Sequence, residues 1–160
     1  NRRFEQIDTP YNIYYQPKNM FIADFFGTLG INFISGTVKD NKFYFGNYQV
    51  DISDYSDKAI MDKIPGEPEI ILGIRPEDIN FSTKPSKYGI KAKVDLIQLF
   101  PPKANIRCRI GNFIINVICL SKDSIGIQKN RDIYLDFNKN KILLFYPHNE
   151  ELIPPARSAS

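Results

Sequence analysis

A cation and two carboxylates lie together in this sequence at the point where a short apolar run ends. The run from Glu69 to Ile74 is rich in β-branched residues, and its length and proline-rich flanks favour a buried strand over a helix. Pro76 ends this strand, because proline has no N–H for a ladder and holds Arg75 in an extended conformation. Glu77 and Asp78 follow directly. The residues alone therefore predict a core strand that is followed directly by charged residues.

The other residues with chemical potential do not form a catalytic set. His148 is the single histidine and lies in the polar stretch PHNEE, where we expect a surface position. Cys108 and Cys119 have no activating base nearby, so we expect two small core residues with free thiols. Three aspartates within residues 51–57 lack the ligand pattern of a calcium-binding loop and are expected to cap a turn and a helix. The sequence predicts no metal site.

No segment has the pattern that cradles nucleotide phosphates. The stretch Gly27–Gly30, GTLG, lacks the lysine and the spacing of a phosphate-binding loop. The acidic and histidine motifs that accompany such a loop in nucleotide-hydrolysing enzymes are also missing from these residues. We therefore expect neither a catalytic nor a cofactor-binding site here.

Length and composition describe a folded protein of ordinary size. The chain has 160 residues, of which 42% are hydrophobic, enough for one domain with a modest core. A formal charge of +3 is too small to indicate nucleic acid by itself. No apolar run approaches the ~20 residues that span a bilayer, and no secretory leader is visible, so we expect an intracellular protein. The chain begins with Asn1 rather than methionine, which suggests a piece of a longer protein.

Two short helices are predicted before the strands. Thr9 caps the first helix, Pro10 suits its first turn and Pro17 ends it. The second begins at Asn19 and ends at Gly27. Four of its residues are expected to be buried: Phe21, Ile22, Phe25 and Phe26.

From Ile31 onward the pattern changes to short strands joined by local turns. Turn signals at 39–41 and 46–47 separate the first three strands, and a helix is expected at 56–64. The stretch 138–140 is expected to join the last two strands, RDIYLDF and KILLF, through a tight turn. Many short strands with local turns predict a mainly β fold, an OB-like small β-barrel preceded by short N-terminal helices.

The clearest hairpin surrounds the two-residue turn Gly111-Asn112. Its register places four pairs on the core face: Ile110 with Phe113, Cys108 with Ile115, Ile106 with Val117, and Ala104 with Cys119. Arg107 and Arg109 point the opposite way. Ile114 and Ile118 make this outer face partly apolar, so we expect a partner to cover it.

Two motifs carry a family resemblance. LGIRPED, residues 72–78, resembles the GIRPE signature in the C-terminal regulatory domain of ATP-binding subunits of sugar-type ABC importers, the maltose-importer ATPase kind. The stretch 5–27 is similar to the segment QIGTPxEIYxxPxNxFVAxFxG, which closes the ATPase domain in that family. The matching positions are Gln6, Ile7, Thr9, Pro10, Ile13, Tyr14, Pro17, Asn19, Phe21, Ala23, Phe25 and Gly27. Asn32 fits the start of the regulatory domain, whereas in the second half of the chain Gln98 and Pro101 depart from the family pattern.

The resemblance implies a regulatory and dimerisation domain of an importer subunit. Residues 1–30 would be the helical end of an ATPase domain, 31–150 a TOBE-type OB-like barrel and 151–160 a flexible tail. ATP and Mg²⁺ would be held elsewhere in the parent subunit, so no cofactor is expected in these residues. The implied partners are a second copy through the barrel, transmembrane permease subunits and regulatory proteins, at the cytoplasmic face of the cell membrane. The motif and candidate interface residues are Leu72, Gly73, Ile74, Arg75, Pro76, Glu77, Ile114 and Ile118.

Two other functions stay open at the level of sequence. An OB-type nucleic-acid binder would use four cations and a stacking aromatic residue: Lys91, Lys93, Arg107, Arg109 and Tyr88. Charge is too balanced along the chain to favour this function, so no nucleic acid is expected. The third candidate is a barrel that binds a small oxyanion or sugar, which the sequence does not exclude.

Overall fold

The chain divides into two compact units along the sequence. The computed structural model describes residues 5–55, 60, 66 and 69–155. The first unit comprises residues 1–73 and 142–160, and the second comprises residues 74–141. Each contains one five-stranded sheet, so the strands that were expected in a single barrel are shared between two sheets. The mainly β class is confirmed.

The first unit contains two helices, α1 (Pro10–Tyr15) and α2 (Met20–Phe25), and a sheet with the strand order β10-β4-β1-β2-β3. Its strands are β1 (Asn32–Lys39), β2 (Lys42–Phe45), β3 (Tyr48–Asp51), β4 (Glu69–Ile74) and β10 (Leu143–Phe145). Both predicted turns are confirmed. Asp40 and Asn41 have φ angles of 51° and 56°, as a two-residue type I′ turn requires, and Gly46 begins the next turn with a φ of 52°.

The predicted helix boundaries are close to those observed, and Ile22 is buried as predicted, but the predicted burial of Phe21, Phe25 and Phe26 is wrong. The Thr9 hydroxyl accepts a hydrogen bond from the Asn12 N–H, and the Asn19 side chain accepts one from the Ile22 N–H. Ile22 is buried with Ala23, whereas Phe21 and Phe25 are 60% and 70% exposed. A helix of six residues turns only one side toward its own unit, and the aromatic side chains lie on the other.

The chain returns to the first unit through a C-terminal segment, residues 146–153. Its backbone folds into a tight turn, since the Tyr146 N–H donates to the Glu151 carbonyl and the Glu150 N–H to the Tyr146 carbonyl. Ile153 is buried, and its N–H donates to the Leu144 carbonyl over 2.8 Å. The flexible tail that was expected from residue 151 therefore does not begin there, while residues 156–160 lie outside the described residues.

The second unit is a sheet with the strand order β5-β9-β6-β7-β8. Its strands are β5 (Ile79–Ser82), β6 (Ile90–Phe100), β7 (Lys103–Ile110), β8 (Phe113–Leu120) and β9 (Asp132–Phe137). All four predicted pairs of the β7–β8 hairpin are confirmed, and Gly111 has the expected positive φ, 58°. A bulge interrupts the pairing of β6 with β7 between Val94 and Leu96.

A turn joins the last two strands, as predicted, but the two strands do not pair with each other. β9 pairs with β5 and β6 in the second unit, whereas β10 pairs with β4 in the first. A 3₁₀ turn, Lys139–Lys141, follows β9, and the Asn138 N–H donates to the Asp78 carbonyl rather than closing a hairpin. A polar turn signal between two apolar runs does not reveal that each run has a better partner far away in sequence.

The predicted helix at 56–64 lies outside the described residues except for Ile60, which is helical.

Candidate functional site

The family motif begins inside the core of the first unit. β4 pairs with β10 so that Leu72 lies opposite Leu144 and Gly73 opposite Leu143. A Cβ atom on Gly73 would lie 2.9 Å from Phe145 Cε2 and 3.0 Å from Ile31 Cδ1. The glycine of the motif is therefore required for packing, since the aromatic ring and the isoleucine occupy the space that a side chain needs.

The charged end of the motif forms a compact turn in the second unit. Arg75 is extended and only 3% exposed, and its carbonyl accepts a hydrogen bond from the Asp78 N–H over 3.0 Å. Pro76, Glu77 and Asp78 form a 3₁₀ turn. Burial, with the neighbouring Glu77 carboxylate, raises the pKa of Asp78, although Lys141 and Arg75 oppose that rise. The predicted strand end at Pro76 is confirmed.

The eight candidate interface residues therefore have two different environments. Six are buried: Leu72, Gly73, Ile74, Arg75, Pro76 and Ile118. Glu77 and Ile114 are exposed, and the role of these two in an interface stays a prediction. The outer face of β8 is consequently less apolar than the alternation of its sequence indicates, because Ile118 is covered.

Two groups of exposed aromatic side chains lie on α1 and on α2 with the residue that follows it. We call Tyr11, Tyr15, Phe21, Phe25 and Phe26 the aromatic surface, since all five side chains are exposed. The Tyr11 and Tyr15 rings are 4.5 Å apart between centroids, and Phe25 lies 6.0 Å from Phe21 and 5.2 Å from Phe26. Exposed apolar groups that cluster in this way typically mark a contact with another protein surface.

The aromatic surface is held in place by the segment that precedes α2 and by the C-terminal segment. The Met20 N–H donates to the Glu150 carbonyl and the Leu152 N–H to the Lys18 carbonyl, both over 3.0 Å. The Gln6 side chain bridges the Lys18 N–H and the Gln16 carbonyl. The bonds to the C-terminal segment were not predicted from the sequence, because they join backbone groups more than 100 residues apart.

The outer face of the second sheet carries two carboxylates, each between two cations. Asp95 Oδ2 lies 2.8 Å from Arg107 Nη2 and 3.8 Å from Arg109 Nη2. The hydrogen bond from Arg107, followed by the charges of both arginines, lowers the pKa of Asp95.

Asp132 is arranged similarly on the neighbouring strand. Its two carboxylate oxygens lie 3.2 Å from Lys91 Nζ and 2.9 Å from Lys93 Nζ. Hydrogen bonds from Lys93 and Lys91 lower the pKa of Asp132. The four cations that a nucleic-acid surface would use are thus each already paired with a carboxylate.

Neither cysteine has the environment of a nucleophile. Both thiols are free, as predicted. Burial raises the pKa of Cys108 to about 12, and burial with the Asp123 charge raises that of Cys119. Among the described residues no group of three or more His, Cys, Asp and Glu side chains is placed to hold a metal ion.

A shallow groove lies at the edge of the second sheet, between β5 and the end of β8. Its volume is about 790 Å³, and its polar lining includes Glu77, Asn80, Asp123 and Arg131.

In the part of the chain that is described, no helix is long and apolar enough to cross a membrane.

Comparison with protein families identifies one matching domain. Residues 30–79 match a family described as the MalK OB fold domain. The match begins before β1 and ends after the GIRPE motif, so it contains one of the two motifs that carry the resemblance, whereas the other, residues 5–27, lies outside it. The expected family resemblance is confirmed, and so is the OB-like fold.

Several relatives of this chain are ATP-binding proteins of ABC transporters. An uncharacterized one, YcjV of Escherichia coli strain CFT073, is 28% identical over 135 residues, which is 84% of this chain and 37% of that protein. The oligosaccharide import protein MsmX of Bacillus subtilis is 30% identical over 147 residues, covering 87% of this chain and 39% of that protein. MsiK of Streptomyces coelicolor, from a diacetylchitobiose uptake system, is 36% identical over 73 residues, 46% of this chain and 19% of its own length. The chain thus spans less than two fifths of these relatives.

A solved structure shares the fold with little sequence similarity. The cytoplasmic molybdate-binding protein ModG, solved with molybdate bound, superposes with a TM-score of 0.57 over 72% of this chain and 96% of that chain, at 14% identity. At this identity the likeness concerns the fold alone.

Proposed function

With residues 30–79 assigned to the MalK OB fold domain, we propose that this chain is the regulatory and dimerisation part of an ABC importer's ATP-binding subunit. Its transported solute would be a sugar or a related compound, as the names of MsmX and MsiK suggest. ATP hydrolysis would take place in a nucleotide-binding domain outside these residues. The chain itself would couple that domain to its partners and carry out no chemistry.

The aromatic surface is the observation that carries this proposal. It lies on the two helices of the segment that resembles the end of an ATPase domain, directly before the matched OB domain. Five exposed aromatic side chains are costly in water and become favourable when a second surface buries them. A nucleotide-binding domain packed on α1 and α2 would provide that surface and would fix the OB domain relative to the site of hydrolysis.

The partners and the location follow from the same proposal. The subunit would act in the cytoplasm at the inner face of the cell membrane, bound to transmembrane permease subunits. Two copies would associate through the regulatory part, and this contact would hold them together whenever their nucleotide-binding domains separate. Tethering of this kind raises the local concentration of the two domains to about the millimolar range.

The two alternatives receive less support. A shared fold does not by itself imply shared ligand chemistry, so the likeness to ModG does not indicate oxyanion binding here. The cations considered for nucleic acid are paired with Asp95 and Asp132. No observation in the described residues favours either alternative over the importer subunit.

Hydrogen exchange tests the proposal most directly. The complete subunit, with the sequence upstream of Asn1 restored, is compared with this chain alone. We expect the amides of α1 and α2 to exchange more slowly in the complete subunit, because the docked domain covers them. Replacing Phe21→Ser and Phe25→Ser together should return exchange to the rate of the isolated chain.

The matched control is Leu99→Ser, since Leu99 is equally exposed but lies in the second unit. This variant should leave the exchange of α1 and α2 unchanged. Equal exchange in the complete subunit and the isolated chain would overturn the proposal. So would an upstream sequence without a phosphate-binding loop and an ABC signature.

A further inference from the structure

The formal net charge of +3 conceals a strong difference between the two units. Residues 74–141 contain 13 Lys and Arg but only 6 Asp and Glu, a net charge of +7. Residues 1–73 and 142–160 contain 8 Lys and Arg and 12 Asp and Glu, a net charge of −4. The second unit is therefore basic in its own right, although charge appeared balanced along the sequence.

Part of this charge is concentrated on one side of the second sheet. We call Lys91 and Lys93 of β6 with Arg107 and Arg109 of β7 the basic face. Lys93 lies opposite Arg109 in the pairing of the two strands. The bulge at Val94 and Leu96 places Asp95 against both arginines, so that one carboxylate orders two guanidinium groups.

The cations of the basic face lie outside the carboxylates that order them. The Arg107 and Arg109 side chains are 41% and 56% exposed, against 20% for Asp95. Lys91 and Lys93 are 56% and 58% exposed, against 37% for Asp132. An approaching molecule thus meets positive charge first, in a geometry that the carboxylates hold in place.

Apolar side chains continue the basic face on both sides of the arginines. Arg109 lies opposite Ile114 on β8, and Arg107 lies opposite Leu96 on β6. Ile114 and Leu96 are both substantially exposed. Neighbouring strands are about 4.8 Å apart. The surface that the three adjacent strands β6, β7 and β8 form is therefore about 10 Å wide, close to the diameter of one helix.

We propose that the basic face binds an acidic, amphipathic segment of a partner protein. Its carboxylates would meet Lys93, Arg107 and Arg109, and its apolar side chains would cover Ile114 and Leu96. Arginine beside apolar residues is typical of protein interfaces, and complementary charge guides such partners together. A partner protein is favoured over a nucleic-acid backbone or an anionic membrane surface, because the exposed side chains of Ile114 and Leu96 lie beside the cations and an array of phosphates would leave them uncovered. The inference concerns a different surface from the aromatic one and does not rest on the proposed function.

NMR titration of the ¹⁵N-labelled chain tests this binding with defined probes. The main probe is a helical peptide of about 16 residues with one stripe of Glu and one of Leu, long enough to form helix on contact. The others are the same peptide with Gln in place of Glu, an oligothymidylate of equal charge, and vesicles containing phosphatidylglycerol. We expect the Glu peptide to shift the amides of residues 91–96, 107–109 and 114, and the Gln peptide to bind at least several-fold more weakly.

Substitutions then separate this face from the general charge of the unit. Lys93→Ala and Arg109→Ala should each weaken binding of the Glu peptide by about two- to fivefold, the range expected for one exposed ion pair. Ile114→Ser should weaken it as well, whereas Lys122→Ala, which removes an exposed cation elsewhere in the unit, should not. Thermal unfolding of each variant checks that the fold is kept.

Three results would overturn the proposal. Tighter binding of oligothymidylate than of the Glu peptide would assign the face to nucleic acid, and preferential binding of the vesicles would assign it to lipid. Equal losses with Lys122→Ala and Arg109→Ala would show that net charge alone attracts the peptide.

Discussion

At the scale of single residues, the GIRPE motif has mainly a structural role, since most of its residues are buried. Gly73 is needed because Phe145 and Ile31 fill the space beside it, and Arg75 is nearly inaccessible. The bond from the Asp78 N–H to the Arg75 carbonyl closes the turn after Pro76. The motif therefore marks the place where the chain leaves the first unit and enters the second, and Glu77 is its exposed part.

Gly73→Ala should lower the free energy of unfolding by about 1–3 kcal/mol, the usual cost of overpacking a core. The added methyl group must displace the ring of Phe145 or the side chain of Ile31. Urea unfolding measures this loss, with the exposed Ser35→Ala in β1 as the control. Equal stability of Gly73→Ala and the unchanged protein would contradict the packing described here.

The two thiols should differ in reactivity. Burial raises the pKa of Cys108 to about 12, so at pH 8 a negligible fraction of this buried group is thiolate, and Cys119 is closer to solvent. A disulfide exchange reagent at pH 8 should therefore react in two phases, a fast one from Cys119 and a slow one from Cys108. Cys119→Ala should remove the fast phase and leave the rate of the slow phase unchanged. Raising the pH toward the pKa of Cys108 should accelerate the slow phase. In denaturant both thiols should react at similar rates. Equal rates in the native protein would contradict the prediction that burial slows the reaction of Cys108.

At the scale of elements, local and non-local pairing differ in how well sequence predicts them. The β7–β8 hairpin is predicted to the residue because a two-residue turn fixes its register and one face is apolar. β9 and β10 have an equally clear turn signal between them, yet they belong to different sheets. Alternation indicates that a strand has a buried face without indicating which strand lies beside it.

The C-terminal segment should be an integral part of the first unit. Ile153 is buried, and the residues before it are bonded to β10 and to the start of α2. Ile153→Ala should cost about 2–4 kcal/mol in the free energy of unfolding and should speed hydrogen exchange in α2. Pro155→Ala, at an exposed position two residues later, is the control. An effect no larger than that of the control would mean that the segment only lies on the surface.

At the scale of the whole molecule, the second unit is an insertion between two paired strands. Gly73 of β4 lies opposite Leu143 of β10, so the chain leaves and re-enters the first unit at neighbouring positions. A two-residue hairpin turn spans such a gap.

Replacing residues 74–142 by Asn-Gly, so that the paired Gly73 and Leu143 flank the two inserted residues, should therefore leave a folded first unit, observed as cooperative thermal unfolding with a β-type circular dichroism spectrum. The same excision in the complete subunit should keep ATP hydrolysis but make its rate more dependent on subunit concentration, if the second unit contains the contact between copies. An unfolded product would show that the first unit needs the second. An unchanged concentration profile would exclude the tethering function for residues 74–141.

The chain alone should neither bind nor hydrolyse ATP. Its sequence has no phosphate-binding loop, and the aromatic surface would contact a nucleotide-binding domain without supplying catalytic groups. Calorimetric titration with Mg–ATP should show no saturable heat. Saturable binding to these 160 residues would contradict the proposal that ATP is bound by a nucleotide-binding domain outside them.

The sequence by itself determined the features that depend on neighbouring residues. Thr9 and Asn19 cap their helices, Pro76 ends its strand, and the turns at Gly46 and Gly111 set their hairpins, because each involves contacts within a few residues. The family resemblance was equally local, carried by two short motifs. Only the tertiary structure decided what depends on distant contacts. It placed β9 and β10 in different sheets, buried Ile118 and exposed Phe21 and Phe25. It also separated a basic unit from an acidic one, since burial and summed charge depend on which distant segments pack together.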